Sequence, residues 1–557
     1  MTNRGHHARL ITVSLFFVML LGAIVFRMID LTVLHRQFLK GQGDARSLRV
    51  QAIPAYRGMI TDRQGTPLAI STPVQSLWVN PKEFSPDAKQ QAALSQLLGV
   101  PVKALLAHIE QAKTREFIYL RRQLPPVLAK KITALDIPGI NFQQEYKRYY
   151  PEGESMAQLL GFTNIDDAGI EGLELAYQDW LMGSEGKKRV VKDRTGRIIE
   201  ELGVLKEPKP GHDLVLSVDR RIQYLAYHEL QNTIEKFAAK AGSVVVLDSQ
   251  NGEILAAANY PSFNPNARGR YTRDRYRNKA ITDTFEPGSV MKPFSIASAL
   301  ASGLVKPDTI FDTRPGWMTL HGHGIRDVHN YGVLDVTGVL QHSSNIGVTK
   351  MVLLSPPEQL IGLLQRSGFG QRTESGYPGE SDGGMVKVKD ANPFVLATMS
   401  FGYGISSTAL QLAKAYLIFA NHGTLRPVTL LHSDEHGAEE RVMDAKTADQ
   451  LLVMLEAVLG QEGTGKQARV AGYRVAGKTG TSRIAGKRGY KEKRYIASFA
   501  GIAPVSKPRL IVVVIIHEPT RNGYYATAVA APLFSKVMAG ALRILDVPPD
   551  KTVGQDD

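Results

Sequence analysis

Phe285-Glu286-Pro287-Gly288-Ser289-Val290-Met291-Lys292-Pro293-Phe294-Ser295-Ile296-Ala297 reads as a turn opening into a helix, with a serine and a lysine three residues apart. Pro293 is tolerated because it falls in the opening turn, where its missing N–H breaks no intrahelical bond. Ser289 is therefore expected at a helix N-terminus, where free N–H groups and the helix dipole favour developing negative charge. Lys292 lies at i+3, on the same face. A serine hydroxyl is a poor nucleophile until a neighbouring base takes its proton, and an amine serves as that base if burial and nearby cations lower its pKa. Taken alone, Ser-x-x-Lys is equally an N-capping serine beside a surface lysine. A second copy stands at Ser184-Glu185-Gly186-Lys187.

Two more short motifs follow in order. Ser343-Ser344-Asn345 falls between helical patterns. Its first hydroxyl suits a proton relay to a leaving amine, and its amide suits the orientation of a peptide; a plain helix N-cap explains it as well. Arg474-Val475-Ala476-Gly477-Lys478-Thr479-Gly480-Thr481-Ser482 reads as a strand with glycines where a ligand can approach the backbone. An edge strand of this kind pairs with an extended peptide. Lys478, Thr479 and Thr481 suit a carboxylate, Lys478 is the candidate cation beside Lys292, and the N–H groups of Ser289 and Thr481 suit an oxyanion hole. Ser-x-Asn recurs at Ser249 and Ser262, but only one copy lies between Ser-x-x-Lys and the single Lys-Thr-Gly.

Around these motifs, Ser243 to Asp248 and Gly252 to Ala258 read as a β-hairpin, residues 496–504 and 510–516 as late strands, and residues 532–545 as a C-terminal helix. Helical patterns lie at 221–238, 290–302, 335–354, 408–421 and 444–459. Strands, helices and strands again predict an antiparallel sheet assembled from both ends of a domain, with helices packed on it. Residues 35–220 read as mixed α+β, including short strands on either side of Thr72-Pro73, helices at 92–98 and 102–111, and a Lys/Pro/Gly joint at 206–212. His321, His323 and His329 lie close together, but His321-Gly322-His323-Gly324 reads as a flexible loop with no partnering carboxylate pattern, so no metal site is expected.

Residues 10–26 carry no charge; as a helix they span roughly 26 Å, close to a hydrocarbon core of roughly 30 Å. Arg4 and Arg9 precede them, so the N-terminus is expected in the cytoplasm and the remainder outside the membrane. A cleaved signal peptide would have a shorter core followed at once by a small-x-small site, whereas the next such pattern is Gly41-Gln42-Gly43. With no cysteine in 557 residues, disulfides, thiolate metal sites and cysteine nucleophiles are excluded together. The net charge of +14 is spread along the chain without a basic, aromatic-interleaved run, so no nucleic-acid partner is expected.

Ser289-x-x-Lys292, Ser343-x-Asn345 and Lys478-Thr479-Gly480 together resemble the catalytic set of the penicillin-binding transpeptidases. Arg57-Gly58-Met59-Ile60-Thr61-Asp62-Arg63-Gln64-Gly65, Arg148-Tyr149-Tyr150-Pro151, Gly161 and Gly169-Ile170-Glu171-Gly172-Leu173-Glu174 are similar to the N-terminal signatures of class B enzymes. Within class B, the likeness is to the division-specific enzymes of Gram-negative rods. The resemblance implies an α+β protein: a single N-terminal transmembrane helix, an extended α+β pedestal module, and a transpeptidase domain with an antiparallel sheet, flanking helices and an all-helical subdomain. The expected boundaries are 1–9 (cytoplasmic N-terminus), 10–34 (anchor), 35–220 (pedestal), 221–545 (transpeptidase domain) and 546–557 (tail).

It implies D-Ala-D-Ala transpeptidation in septal wall synthesis, with Ser289 as nucleophile, Lys292 as general base, Ser343 as proton relay, Asn345 orienting substrate, Lys478 acting electrostatically, and Thr479, Gly480 and Thr481 binding substrate. Stem peptides on a lipid-linked precursor are the implied substrate, and no cofactor is implied. β-Lactams, the inner membrane and division proteins, including a polytopic glycosyltransferase, are the implied partners. No Glu-Asp-x-x-Phe-x-x-His-x-Gly segment marks a fused glycosyltransferase, and no Glu-x-x-Leu-Asn between Ser343 and Lys478 marks a deacylating glutamate, so slow β-lactam hydrolysis is expected. A non-catalytic penicillin-recognising or division scaffold is the alternative.

Overall fold

The computed structural model describes residues 3–193, 198–267, 269, 271–434, 437–486, 489–490 and 493–551, side chains 3–5 and 46 excepted. Residues 1–2 of the expected cytoplasmic N-terminus and 552–557 of the expected tail lie outside the described residues.

Helix α1 (Asn3–Ile29) continues through a π-turn at Asp30–Leu34. The stretch His6–Leu34 has no buried residue and is long and apolar enough to cross a membrane. At its end Asp30 accepts from Arg27 at 2.6 Å and pairs with His35 Nδ1 at 2.7 Å. Partnered charges at a helix end cost far less there than an isolated carboxylate in hydrocarbon would.

The chain divides into two compact units: Met1–Tyr56, Pro73–Tyr146 and Gly183–Gly211 form the first, α1 included; Arg57–Thr72, Lys147–Met182 and His212–Asp557 form the second. In the first, α2 (Arg36–Ser47) leads into β1 (Leu48–Ile53). The strand β2 (Pro67–Val79) runs straight through Thr72-Pro73, where the sequence suggests a break; its part from Pro73 onward belongs to the first unit and its part up to Thr72 to the second. Its residues up to Ala69 face Ile60 and Thr61, and those from Gln75 face another strand. Pro73 falls where the partner changes and no N–H is needed by either ladder. Helix α3 (Ala88–Leu98) opens on an Asp87/Gln90 capping box, and α4 (Val102–Gln111) follows. With β3 (Ile118–Leu124) and β4 (Ile140–Tyr149), they enclose a core of Leu77, Val79, Leu94, Leu105, Ile109 and Ile118. A separate antiparallel sheet runs in the order β1, β5 (Gly186–Lys192), β6 (Ile198–Lys206).

The second unit is built on a five-stranded antiparallel sheet. After α5 (Arg220–Phe237), capped by Asp219, come β7 (Ala241–Asp248) and β8 (Ile254–Tyr260). The helical region contributes α6 (Lys292–Ala301), a hairpin of β9 (Trp317–Leu320) and β10 (His323–Arg326), then α7 (Val336–Gln341), α8 (Asn345–Val352), α9 (Pro393–Ser400), α10 (Ala409–Ala420) and α11 (Ala445–Ala457). The chain returns to the sheet with β11 (Ala476–Arg483), β12 (Tyr495–Ala503) and β13 (Leu510–His517), and closes with α12 (Ala526–Ile544). The strand order is β8-β7-β13-β12-β11, so both ends of the domain do meet in one sheet and β11 is an edge. Strands β7 and β13 are buried almost throughout because helices cover both faces, which is why they read as unbroken Val/Ile runs.

Three local expectations change. The pattern at 335–354 is two helices, because Ser343 adopts φ +61 and breaks the run. The expected loop at His321–Gly324 is the tip of the β9–β10 hairpin: His321 and Gly322 have φ of 48° and 80°, as a tight two-residue turn requires. Helix α12 begins at Ala526 rather than Pro532. By length and apolarity α12 would also cross a membrane, but half of it is buried, with Val529, Leu533, Phe534, Val537 and Met538 in the core.

Candidate active site

Ser289 is the second residue of a 3-10 turn, Gly288–Met291, that runs directly into α6, and the Lys292 N–H closes that turn on the Ser289 carbonyl. A 3-10 helix has three residues per turn, so side chains at i and i+3 eclipse. Ser289 and Lys292 thus share a face more closely than the α-helical start expected from sequence would allow. The turn is held from several sides. Gly288 N–H donates to the Gly402 carbonyl at 3.1 Å, the buried Tyr416 hydroxyl donates to the Val290 carbonyl at 2.8 Å, and Ser482 Oγ donates to the Glu286 carbonyl at 2.8 Å. A Cβ at Gly402, where φ is +86, would come within 2.1 Å of the Gly288 carbonyl oxygen, so glycine is required there. Gly480 performs the same service for β11: a Cβ would stand 3.0 Å from both the Pro287 carbonyl oxygen and Val290 Cγ1. Its absence lets the Lys478-Thr479-Gly480 strand lie against the serine turn.

Lys292 has no solvent exposure, and its Nζ donates to the Ser343 carbonyl at 2.5 Å, Ser343 Oγ at 3.0 Å and Asn345 Oδ1 at 2.8 Å. Lys478, equally buried, donates to the same Ser343 Oγ at 3.0 Å and to the Thr479 carbonyl at 3.1 Å. The three motifs therefore meet on one hydroxyl. The left-handed backbone of Ser343, which costs a serine about 1–3 kcal/mol, presents both its carbonyl and its hydroxyl to Lys292. Burial pushes the Lys292 amine down to about 7, against the Asp327 carboxylate, which raises it. Burial also pushes Lys478 well below the usual lysine range, and the Lys292 charge adds to that. Desolvation thus lowers Lys292, and the repulsion between the two lysines that the sequence pointed to falls on Lys478.

The remaining predicted residues sit around this cluster. Asn345 spends its amide within the protein, Oδ1 on Lys292 and Nδ2 on the Arg326 carbonyl at 2.8 Å. Thr479 Oγ1 donates to Thr464 Oγ1 at 2.9 Å, and Thr481 Oγ1 accepts from the Ala526 N–H at 3.0 Å, at the start of α12. Among the described residues the Ser289 hydroxyl has no hydrogen-bond partner. His323 stacks on Phe394 with ring centres 4.2 Å apart, and His329 packs edge-on to Tyr331.

Sequence reasoning missed several residues. Asp327 accepts from Ser344 Oγ and from the Asn345 and Ile346 N–H groups, all at the start of α8. A signal existed: α8 has no acidic residue in its first turn, so its free N–H groups needed an acceptor from elsewhere. Glu286 accepts from the Tyr490 hydroxyl at 2.7 Å and from the Gly404 N–H at 3.1 Å, tying the β11–β12 connection to the residue before Pro287.

The N-terminal signatures also converge within the second unit. Glu174, fully buried, accepts from Arg57 Nε and Arg148 Nε, each at 2.6 Å, and its carbonyl accepts from Arg57 at 2.7 Å. Arg57 also reaches Gln178 Oε1 at 2.7 Å. No reacting group of the Ser289 cluster is involved, so these residues build the domain.

The penicillin binding protein transpeptidase domain family matches residues 242–539, and the penicillin-binding protein dimerisation domain family matches residues 52–216. The chain is 44% identical to the probable peptidoglycan D,D-transpeptidase PbpC of Pseudomonas aeruginosa, across 99% of this chain and 97% of the relative. It is 41% identical to the peptidoglycan D,D-transpeptidase FtsI of Escherichia coli, across 98% and 94%. Among solved structures it is similar to penicillin-binding protein 3 from Mycobacterium tuberculosis complexed with aztreonam, with TM-score 0.70 at 26% identity over 90% of this chain and 98% of that one. It is also similar to the transpeptidase domain of Burkholderia pseudomallei penicillin-binding protein 3, with TM-score 0.56 at 41% identity over 60% and 98%.

Proposed function

The chain belongs to the class B penicillin-binding proteins, and from that premise we propose that it is a peptidoglycan D,D-transpeptidase of septal wall synthesis that works through a serine acyl-enzyme on Ser289. The observation that carries the reading is the meeting of Lys292 and Lys478 on Ser343 Oγ, beside the turn that bears Ser289. A charged Lys292 has all three N–H donors engaged. Loss of one proton leaves a lone pair in a dry site, which is what a general base needs.

The donor stem peptide pairs along the open edge of β11, with its terminal carboxylate toward Lys478, Thr479 and Thr481. Ser289 Oγ adds to the carbonyl carbon of the penultimate D-alanine while its proton passes to Lys292 Nζ. The carbonyl oxygen takes up the negative charge between the Ser289 and Thr481 N–H groups. The C–N bond then breaks, and the departing D-alanine amine takes the proton that Ser343 Oγ relays from the lysine pair. An amine from a neighbouring stem attacks the resulting ester, gives its proton to Lys292, and expels Ser289 Oγ, which is reprotonated. A β-lactam acylates Ser289 by the same addition, but its amine stays tethered to the acyl group. Asn345 acts chiefly by holding Lys292.

The helix at His6–Leu34 anchors the protein once in the inner membrane, with its N-terminus cytoplasmic and its catalytic unit periplasmic, where lipid-linked precursor, β-lactams and the division machinery with its polytopic glycosyltransferase meet it. Intact-mass measurement of the full chain in detergent after exposure to benzylpenicillin tests the reading. A stable single adduct that disappears in Ser289→Ala is expected; folded protein without any adduct would overturn it in favour of a scaffold.

A further inference from the structure

We propose that Asp327 is a positioning residue for the reaction: it assembles the Lys292–Ser343–Asn345 cluster and faces Lys292 with a negative charge. Asp327 Oδ1 accepts from the Asn345 N–H at 2.5 Å and the Ile346 N–H at 3.0 Å, and Oδ2 accepts from Ser344 Oγ at 2.5 Å. Ser344 Oγ in turn accepts from the Gly347 N–H at 2.9 Å. One carboxylate therefore satisfies the first free N–H groups of α8 and orients the helix's own capping serine. Asn345 begins this helix, so the direction of its amide toward Lys292 follows from how the helix start is held. The preceding residue adds a second restraint, because the Arg326 carbonyl accepts from Asn345 Nδ2 at 2.8 Å.

Asp327 is itself fixed by the β9–β10 hairpin. Its N–H donates to the Gly316 carbonyl at 3.0 Å. Ile325, two residues before it, packs with Ile346 and Ala397 in a small separate core, to which Met318, Leu320 and Phe401 contribute. The hairpin therefore delivers Asp327 to α8 and has a purpose in the chemistry that its exposed tip does not suggest. The groups that face Lys292 are Lys478 from β11, Ser343 from the α7–α8 connection, Asn345 from α8, and the Asp327 charge from the turn after β10. Against the buried Lys292 amine this carboxylate favours the protonated state, and so sets how much neutral base is present at a given pH.

The inference rests on the reading of Lys292 as general base, and one experiment separates the two. Acylation of the full chain by benzylpenicillin is timed from pH 5 to 9 for the parent, Lys292→Ala, Asp327→Asn and Asp327→Ala. Asp327→Asn keeps an oxygen acceptor for the helix start and removes the charge. Its acid limb is expected to move to lower pH by about 1 unit, the low end of what loss of an opposite charge produces. Asp327→Ala removes the cap as well, and its plateau is expected to fall roughly 100-fold, as a 1 Å misplacement of catalytic groups does. A parental limb near neutrality that does not move in Asp327→Asn refutes the electrostatic part, and a parental plateau in folded Asp327→Ala refutes the positioning part. If Asp327→Ala does not fold, Asp327→Ser, whose side chain is too short to hold both the α8 N–H groups and Ser344 Oγ, takes its place, and a parental plateau there refutes the positioning part. A parental profile without a limb sinks the Lys292 reading, and the inference with it.

Discussion

Burial of Lys292 makes a quantitative demand on the acylation rate. An ordinary lysine with a pKa of 10.5 is neutral in about one molecule in 3000 at pH 7, whereas at about 7 half the molecules carry a neutral amine. Desolvation therefore raises the fraction of competent base by about 10³ at neutral pH, part of which is given back because a weaker base drives proton transfer less. The reactive form is the deprotonated one, so the rate rises with pH. It should climb about tenfold per unit below pH 6, bend near 7 and flatten above about 8. Stopped-flow acylation of the full chain by a fluorescent penicillin reads this directly. Lys292→Ala should lose the limb together with about 10²–10⁴-fold of the rate, while keeping the parental melting temperature. A flat profile, or a rate still rising tenfold per unit at pH 9, would refute the argument, because either means that the amine taking the serine proton is not this desolvated one.

Glu174→Ala leaves two buried guanidinium groups without their carboxylate, which should cost about 3–5 kcal/mol and lower the melting temperature by about 10 °C; an unchanged melt would mean that another group supplies the counter-charge. His517, at the end of β13 beside the Phe285 ring, is held down to about 4 from 6.5 mainly by burial. The unfolded chain then binds the extra proton between those values, so stability is lost as pH falls through that window. The residue keeps some exposure, which screens the penalty, so about 2 kcal/mol is expected rather than the full ~3. Urea melts at pH 7.5 and 4.5 should show a smaller acid loss in His517→Gln than in the parent, and equal losses would contradict it. Alkaline phosphatase fused after the C-terminal helix should be active in cells, and an inactive fusion would reverse the proposed orientation of the anchor.

Much of the candidate site is legible in the sequence because its members are short local patterns. Ser289 and Lys292 sit on one turn, and any helical reading puts them on a common face. Lys478 lies in a strand whose glycines announce a close approach, and β11 does prove to be an edge. Asp327 was not legible, because its role depends on a hairpin that reads as a glycine-containing loop and on a helix start eighteen residues later. The continuity of β2 through Pro73 was hidden for a related reason: the local rule against proline gives way where a strand changes partners.

By itself, then, the sequence determined the apolar anchor, the strand–helix–strand order that closes into one antiparallel sheet, and the three short motifs that the fold brings together on Ser343 Oγ. These depend on periodicity, capping and spacing within a few residues, and those act along the chain. Tertiary structure alone decided that Ser343 would take a left-handed backbone and bridge two lysines, that Lys292 would be dry enough to sit at about 7, and that Arg57 and Arg148 would share Glu174. Burial, desolvation and the pairing of charges are properties of what packs from elsewhere in the chain, and no short stretch of residues contains them.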